Sequence, residues 1–352
     1  MKLSSISLST AAILLAGSAF AADLPAKKAA PAAAASGVAA CPAYGAGYFQ
    51  VPGTDECIKL GGFVRSNNTA TLSTVARGTA PYSFAGSWQL EVDAKNNTDL
   101  GTVSSHIAMR DAANREVYVD FAGLRAGYFP GLSDLNLGGN NDPFNEQRDT
   151  GMYYQAALGS SKVYIGMITP VSNSGTTTLV GRPDLQARFD TTAGAVALNF
   201  VAVSHEATGS TTGSANGYAL LSRAVVDMSP VKVSFYGAYA NAASAYLSNG
   251  AATTVLDASS DSSSLSSGTD IGAAVEVKVG TGTAKAFGNQ ISISDSAGTN
   301  PYRATNLGVN YTLPIAKGLL VRPELYNSTT SVQSSGSYST AQTLYVRIQR
   351  DF

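Results

Sequence analysis

The chain ends in the stretch Leu344-Tyr345-Val346-Arg347-Ile348-Gln349-Arg350-Asp351-Phe352. Its even-numbered positions are apolar and include the terminal Phe352, with Arg350 as the one charged exception, whereas its odd-numbered positions are mostly polar. Because successive side chains of a strand point to opposite faces, the stretch predicts a β-strand with one apolar and one polar face. Arg350 lies near enough to the end of the chain for its side chain to reach an aqueous interface.

The first 21 residues have the pattern of a secretory signal peptide. Lys2 supplies a positive charge, residues 8–20 are mostly Ala, Leu, Ile and Ser, and Ala19-Phe20-Ala21 is a cleavage site of the small-x-small type. The mature chain is therefore predicted to begin at Ala22. This divides the chain into a signal peptide (1–21), a periplasmic N-terminal segment (22–57) and a membrane domain (58–352).

The N-terminal segment contains both cysteines of the chain, Cys41 and Cys57. In an exported protein an isolated pair of this kind is predicted to form a disulfide. Closing so short a loop stabilises the fold by roughly 3 kcal/mol in the chain-entropy model. A metal site is the weaker interpretation, because no histidine lies nearby to complete a set of four ligands.

The composition favours a membrane β-barrel. After Ala22 the chain has no apolar run of about 18 residues, so it offers no transmembrane helix. Charged residues make up 13% of the chain, against about 25% in typical soluble domains, while glycine and tyrosine are abundant. Lipid-facing and lumen-facing residues alternate in a barrel, which explains a mean hydropathy of +0.04. The net charge of −1 shows no basic excess, which argues against a nucleic acid partner.

Sixteen segments of the membrane domain have strand character, and several alternate clearly between apolar and polar residues. We therefore predict an all-β fold: a transmembrane, antiparallel, up-and-down β-barrel of sixteen strands. A secreted β-sandwich or β-helix is the alternative, but neither predicts such a terminal strand. The predicted strands are 58–67, 84–96, 100–110, 114–121, 124–130, 150–158, 161–169, 182–191, 194–204, 216–228, 231–242, 268–279, 281–293, 303–313, 318–328 and 339–352.

The connections between these strands alternate in length. Odd-numbered connections are mostly long and rich in Ser, Thr, Gly and Asn, whereas even-numbered ones are short, such as Ala122-Gly123 and Gly159-Ser160. Outer-membrane barrels have long loops outside and short turns on the periplasmic side. An even number of strands places both ends of the barrel on the periplasmic side.

The third long connection, residues 130–149, is a candidate for narrowing the pore. A sixteen-stranded barrel encloses an open aqueous lumen, and a loop this long is predicted to fold inward and constrict it. The alternative is a solvated surface loop. The connection contains one arginine, Arg148, and four acids: Asp134, Asp142, Glu146 and Asp149.

The predicted wall supplies basic residues on the polar face of its strands. An arginine facing lipid at the midplane would cost roughly 2–4 kcal/mol, so these side chains are expected to face the lumen. Opposite charges across a pore create a transverse field that favours polar solutes. Since acids also fall on inward positions, we predict only a mild preference for cations; arginines that merely solvate the lumen are the alternative. The arginines are Arg65, Arg110, Arg125, Arg188, Arg322 and Arg347.

Signals for catalysis are weak. The chain has two histidines, His106 and His205, and no nucleophile elbow accompanies either of them. A P-loop, a dinucleotide fingerprint and EF-hand spacing are also absent from the sequence. We therefore predict no enzyme activity, no cofactor and no metal site.

The stretch from Cys41 to Arg65 resembles the first segment of the alphaproteobacterial general porins. The likeness comprises a cysteine, a glycine-aromatic stretch, Pro52-Gly53-Thr54-Asp55, a second cysteine, and the strand Gly61-Gly62-Phe63-Val64-Arg65. Residues 123–130 look like the strand that leads into that family's constriction loop, and the alternating last strand ending on Phe352 is similar to the C-terminal signature of outer-membrane barrels.

The resemblance implies a homotrimer of water-filled, sixteen-stranded pores in a bacterial outer membrane, with the third loop inside the lumen. Carried onto this chain, the constriction acids are Asp134, Asp142, Glu146 and Asp149, and the opposing basic residues are Arg65, Arg110 and Arg125. It further implies contact with outer-membrane lipid and lipopolysaccharide, recognition of the strand ending at Phe352 by the barrel assembly machinery, and passive diffusion of ions and small hydrophilic solutes. A substrate-specific channel and a surface-binding barrel, serving as adhesin or phage receptor, are the alternatives.

Overall fold

The structure is a computed structural model that describes residues 38–73, 81–135, 147–170, 182–209, 213–247, 266–294, 302–332 and 337–352. Two short 3-10 helices, η1 (Pro42–Tyr44) and η2 (Ser244–Tyr246), accompany the strands in these residues. The strands are β1 (Phe49–Gln50), β2 (Cys57–Thr71), β3 (Tyr82–Thr98), β4 (Gly101–Arg110), β5 (Ala113–Phe121), β6 (Leu124–Pro130), β7 (Arg148–Leu158), β8 (Ser161–Ile168), β9 (Asp184–Ala193), β10 (Val196–Gly209), β11 (Gly213–Met228), β12 (Val231–Asn241), β13 (Ser267–Val279), β14 (Gly282–Ser294), β15 (Tyr302–Ala316), β16 (Leu319–Val332) and β17 (Ser337–Asp351).

Strands β2 to β17 form one closed antiparallel sheet in which each strand pairs with the next. The last strand closes the barrel on the first, from Thr343 opposite Thr71 to Asp351 opposite Phe63. Closure leaves no unpaired edge, so backbone N–H and C=O groups find partners within the sheet even where lipid surrounds it. The predicted sixteen-stranded, up-and-down barrel is confirmed.

The described part of the chain contains no helix that is both long enough and apolar enough to cross a membrane.

The two faces of the strands separate apolar from polar residues as predicted. On β15, Leu307 and Val309 are 58% and 50% exposed on the outside, whereas Asn306 and Asn310, which flank this pair, are each 6% exposed on the inside. Large apolar side chains on most other strands are similarly exposed, among them Ile165 and Phe235. The outer surface is therefore an apolar belt suited to lipid, and the buried side chains of these strands face the lumen.

Several strands, β10 and β11 above all, are longer than predicted at the end that carries the long connections. β10 and β11 pair from Val196 opposite Val226 as far as Gly209 opposite Gly213, so only residues 210–212 connect them. The predicted boundaries stopped at 204 and 216 because the intervening residues are polar. Polar residues continue a hydrogen-bonded ladder where it leaves the membrane, which shortens the loop.

A tight turn at Asp111-Ala112 joins β4 to β5, and both residues have positive φ angles, 51° and 65°. The Asp111 carboxylate accepts hydrogen bonds from the backbone N–H of Trp88 and the hydroxyl of Ser87, each 2.8 Å long. These two bonds hold the pKa of Asp111 below its ordinary value of 3.8. The ionised side chain thus ties this turn to the neighbouring strand β3.

The N-terminal segment is attached to the barrel through Cys41 and Cys57, which form the predicted disulfide with Cα atoms 6.2 Å apart. β1 pairs with the start of β2, where Gln50 lies opposite Cys57. Tyr48 is buried beside the disulfide, and the ammonium groups of Lys59 and Lys95 lie 5.9 and 5.0 Å from its ring centre. The segment from Ala39 therefore packs onto the end of the barrel where the short turns lie.

Candidate functional site

The acids predicted to narrow the pore occupy different kinds of positions. Asp134 lies near the start of the third connection, whereas Asp149 belongs to β7, which begins at Arg148 rather than at the predicted residue 150. The Asp149 carboxylate is 2% exposed and lies directly against Gly131, where a Cβ atom would collide with it. Asp142 and Glu146 lie outside the described residues.

The described start of the third connection, residues 131–135, packs against side chains of the inner wall. Leu132 is buried with Phe129, Tyr153 and Ile168, and its carbonyl oxygen accepts a 3.2 Å hydrogen bond from Nη1 of Arg188. Leu135 is fully buried in a larger apolar cluster that includes lumen-facing residues of β10 to β15. Residues 131–135 are therefore inside the barrel; the rest of the predicted constriction loop lies outside the described residues.

The start of the sixth long connection also packs into the barrel. Tyr246 of η2 is fully buried, and its hydroxyl donates a 2.5 Å hydrogen bond to Asp184, which also lies 2.9 Å from Nδ1 of His205. Burial, followed by the charges of Asp184 and Asp149, raises the pKa of Tyr246 well above 10. We call Tyr246, Asp184 and His205 the loop anchor. Sequence reasoning missed it, because only the fold brings these residues together.

Two of the three predicted basic residues lie close together. The guanidinium carbons of Arg65 and Arg110 are 4.6 and 5.4 Å from the ring centre of Phe63. On the adjoining strands, Arg347 lies directly opposite Arg322 and donates a 2.9 Å hydrogen bond to Asn67. We call these four residues the basic stripe. They lie on β2, β4, β16 and β17 and are, in that order, Arg65, Arg110, Arg322 and Arg347.

The third predicted basic residue, Arg125, belongs to a different arrangement. It forms a two-pronged ion pair with Asp120, with N–O distances of 2.7 and 2.8 Å, next to the short turn at Ala122-Gly123. Arg110 instead lies at the far end of β4, beside the turn at Asp111. Arg125 is therefore not part of the basic stripe that contains Arg65 and Arg110.

Aromatic and cationic side chains form a continuous band across six neighbouring strands, β4 to β9. The band consists of His106, Tyr118, Arg125, Tyr153, Tyr164 and Arg188. Successive ring-to-ring or guanidinium-to-ring distances along it are 4.9, 3.9, 5.6, 5.8 and 5.7 Å. The available sequence signal was that these tyrosines and arginines occupy inward-facing positions on adjacent strands. That signal does not show how far along the barrel axis each side chain lies.

A histidine–carboxylate hydrogen bond and two ion pairs hold the polar and charged groups of this wall in place. His106 contacts Asp93 at 2.7 Å, and Arg148 contacts Glu116 at 3.1 Å. Arg188 contacts Asp190 at 2.8 Å. A wall whose charges are fixed in pairs presents polar groups to water while keeping its net charge low.

A cavity of about 410 Å³ lies between this wall and residues 130–134. Its volume is within the range of roughly 300–1,000 Å³ that small-molecule sites have. The residues that contribute its ring faces and charges are Arg125, Asp134, Tyr153, Tyr164, Arg188 and Arg223.

Comparison with known families matches residues 26–351 to the family described as "Porin subfamily". The chain belongs to this porin family. A curated relative, outer membrane protein IIIA of Rhizobium leguminosarum bv. viciae, is 29% identical to this porin over 163 residues, which are 40% of the porin and 44% of the relative. The match thus spans less than half of that relative's length. The predicted resemblance to alphaproteobacterial porins is confirmed, and the bacterial outer membrane is the porin's location.

Solved structures share the fold of this porin. The outer membrane channel DcaP of Acinetobacter baumannii has a TM-score of 0.71 at 12% identity, over 84% of this porin and 97% of that chain. OmpT of Vibrio cholerae, in a structure described as its trimer form, has a TM-score of 0.57 at 12% identity, over 85% and 100% of the two chains. At such identities the likeness concerns the fold alone.

Proposed function

We propose that this porin forms a passive, water-filled pore for ions and small hydrophilic solutes, with a mild preference for cations. The observation that carries the proposal is the closed barrel with an apolar outer belt and an inner wall of polar and charged groups, which include ion pairs and the basic stripe. Such a wall solvates a hydrated solute along its path, whereas the lipid outside does not. The porin family favours a channel over an enzyme.

The proposed organisation follows the family resemblance. Three copies form a trimer, in keeping with the trimer form of OmpT, a protein of the same fold. The chain is cleaved before Ala22, and the strand ending at Phe352 is recognised by the barrel assembly machinery before the barrel reaches lipid and lipopolysaccharide. The third connection, with Asp134, Asp142 and Glu146, narrows the lumen, and Asp149 borders it.

Single-channel recording tests the proposed function. In a planar bilayer, the purified protein is expected to give large, ohmic current steps that close in threes and do not change on adding an amino acid. Absence of steps would overturn the pore and favour the surface-binding barrel. Strong, saturable block by one solute class at micromolar concentration would favour the substrate-specific channel.

The cation preference is proposed to arise from acids of the third connection, since much of the wall charge is paired. Replacing Asp142→Asn together with Glu146→Gln removes two negative charges and is expected to move the reversal potential in a salt gradient towards anion selectivity. The matched control, Asp55→Asn with Glu56→Gln, removes the same charges from the N-terminal segment. Equal reversal potentials in all three proteins would contradict the proposed constriction.

A further inference from the structure

We infer that the cavity beside Tyr153 and Tyr164 is a weak binding site for a neutral, ring-shaped sugar. The inference deepens the proposed function and rests on it, because the site lies in the pore. It names a solute class that the pore would retain briefly during passage.

The accessible ring face comes from Tyr164, and the buried Tyr153 on the neighbouring strand supports it. Tyr153 and Tyr164 line the cavity with ring centres 5.8 Å apart and planes inclined at 70°. Phe129 packs edge-on against Tyr153 at 5.1 Å, which holds that ring in position. An aromatic face carries partial negative charge, and the C–H groups on one side of a pyranose ring carry partial positive charge, so the two surfaces attract each other.

Guanidinium groups at fixed positions surround these rings. Arg125 is held by both oxygens of Asp120, and Arg188 is held by Asp190 and by the carbonyl oxygen of Leu132. A guanidinium has five N–H donors, and each arginine uses two in these contacts. Both arginines line the cavity, so their remaining donors can serve the several hydroxyl groups that a sugar presents.

A hydrogen-bonded track continues from Arg188 along the wall. Asp190 accepts bonds from Arg188 at 2.8 Å and from the Asn199 amide at 2.7 Å, and the Asn199 oxygen accepts a 3.0 Å bond from Arg223. Every group in the track is fixed by a neighbour. Polar groups that are already oriented bind a ligand without a further cost of ordering them.

The charge balance favours a neutral ligand over an anion. Three arginines line the cavity, Arg125, Arg188 and Arg223. Three carboxylates balance these charges. Asp134 lines the cavity, Asp120 pairs with Arg125, and Asp190 pairs with Arg188, so the formal charges of the six groups add up to zero. An anion gains little in such surroundings, whereas hydroxyl groups can both donate to the Asp134 carboxylate and accept from the arginines that line the cavity.

The expected affinity is low. The cavity opens on the lumen, so a bound ring keeps one side in water. Conduction requires a solute to leave as readily as it enters. A dissociation constant on the order of millimolar, about −4 kcal/mol, satisfies both conditions.

Sugar-induced current fluctuation tests the inference on the full-length protein in a planar bilayer. Conductance in salt alone is recorded first, so failure of the pore is seen separately from failure of the site. Maltose is then added over a millimolar range, with sorbitol as an open-chain polyol and benzoate as an aromatic anion. Maltose is expected to increase the current noise up to a saturating level. Sorbitol and benzoate are expected to leave the current noise unchanged.

The variant Tyr164→Ala removes one ring face and is expected to weaken the maltose effect about tenfold, as loss of one stacking contact implies. Tyr164→Leu, which keeps apolar volume, serves if the alanine variant does not fold. Tyr345→Ala removes a lumen-facing tyrosine from the distant strand β17 and is the matched control. A conducting wild type without a maltose effect, an equal benzoate effect, or an equal loss in Tyr345→Ala would each overturn the inference.

Discussion

Replacing Gly62 with alanine is expected to prevent the barrel from closing. Gly62 lies in β2, between β3 and the last strand, and has a φ angle of +147°. A Cβ atom there would collide with the backbone oxygen of Gln89 and would lie 3.1 Å from Cζ of Phe352. The unusual backbone angle alone adds strain of about 1–3 kcal/mol, and the collision can be relieved only by moving β3.

The position of Gly62 explains why its replacement would affect closure of the barrel. The backbone N–H of Phe352 donates a 3.1 Å hydrogen bond to the Gly62 carbonyl oxygen, so the end of the chain is attached at this residue. Displacing β2 from β3 would therefore disturb both sides of the same strand. The backbone groups released there would lose their hydrogen-bond partners on both sides of β2, which is costly.

Heat-dependent migration in detergent gels, together with the amount of protein in the outer membrane, measures the effect. The Gly62→Ala protein is expected to lack the compact, heat-sensitive form. Gly86→Ala is the matched control, because a Cβ at Gly86 in β3 meets no atom within 4 Å. If Gly62→Ala folded as well as Gly86→Ala, Gly62 would not be required for closing β2 onto β3 and β17.

Replacing Tyr246 with alanine is expected to release residues 242–247 from the inner wall and to raise single-channel conductance. Loss of a buried aromatic side chain costs about 3–5 kcal/mol. The carboxylate of Asp184, which is fully buried, would also lose the hydroxyl that lies 2.5 Å away. Tyr246→Phe removes only that hydrogen bond to a charged group, worth about 1.5–3 kcal/mol, and should give an intermediate conductance.

The loop anchor is tested by measuring the conductance and current noise of the two Tyr246 variants, with Tyr338→Ala as the matched control. Tyr338 is 73% exposed, so its truncation removes an equal side chain without opening the wall. The raised pKa of Tyr246 means that its hydroxyl stabilises the folded loop fully below pH 10 and stops doing so as pH rises through the raised value. Wild-type conductance in Tyr246→Ala would show that the anchor does not restrict the pore.

The sequence by itself determined the architecture of this protein. Apolar and polar residues alternate with a period of two, as at Leu307 and Asn306, and this is a local property that decides which side chains face lipid. Polar connections mark the strand ends, and one isolated cysteine pair leaves a single partner for Cys41. These signals sufficed for the strand number, the closed barrel and the disulfide.

The tertiary structure decided the positions of groups around the lumen. The alternation along each strand shows that Arg65, Arg110 and Arg125 face inward. Their positions along the barrel axis depend on the register of several strand pairs, and this register separates Arg125 from the other two. The loop anchor depends on burial of Tyr246 against Asp184, 62 residues away in the chain. Such contacts form only when the closed wall and the inward loop are both present, since neither side chain has a local pattern that specifies the other.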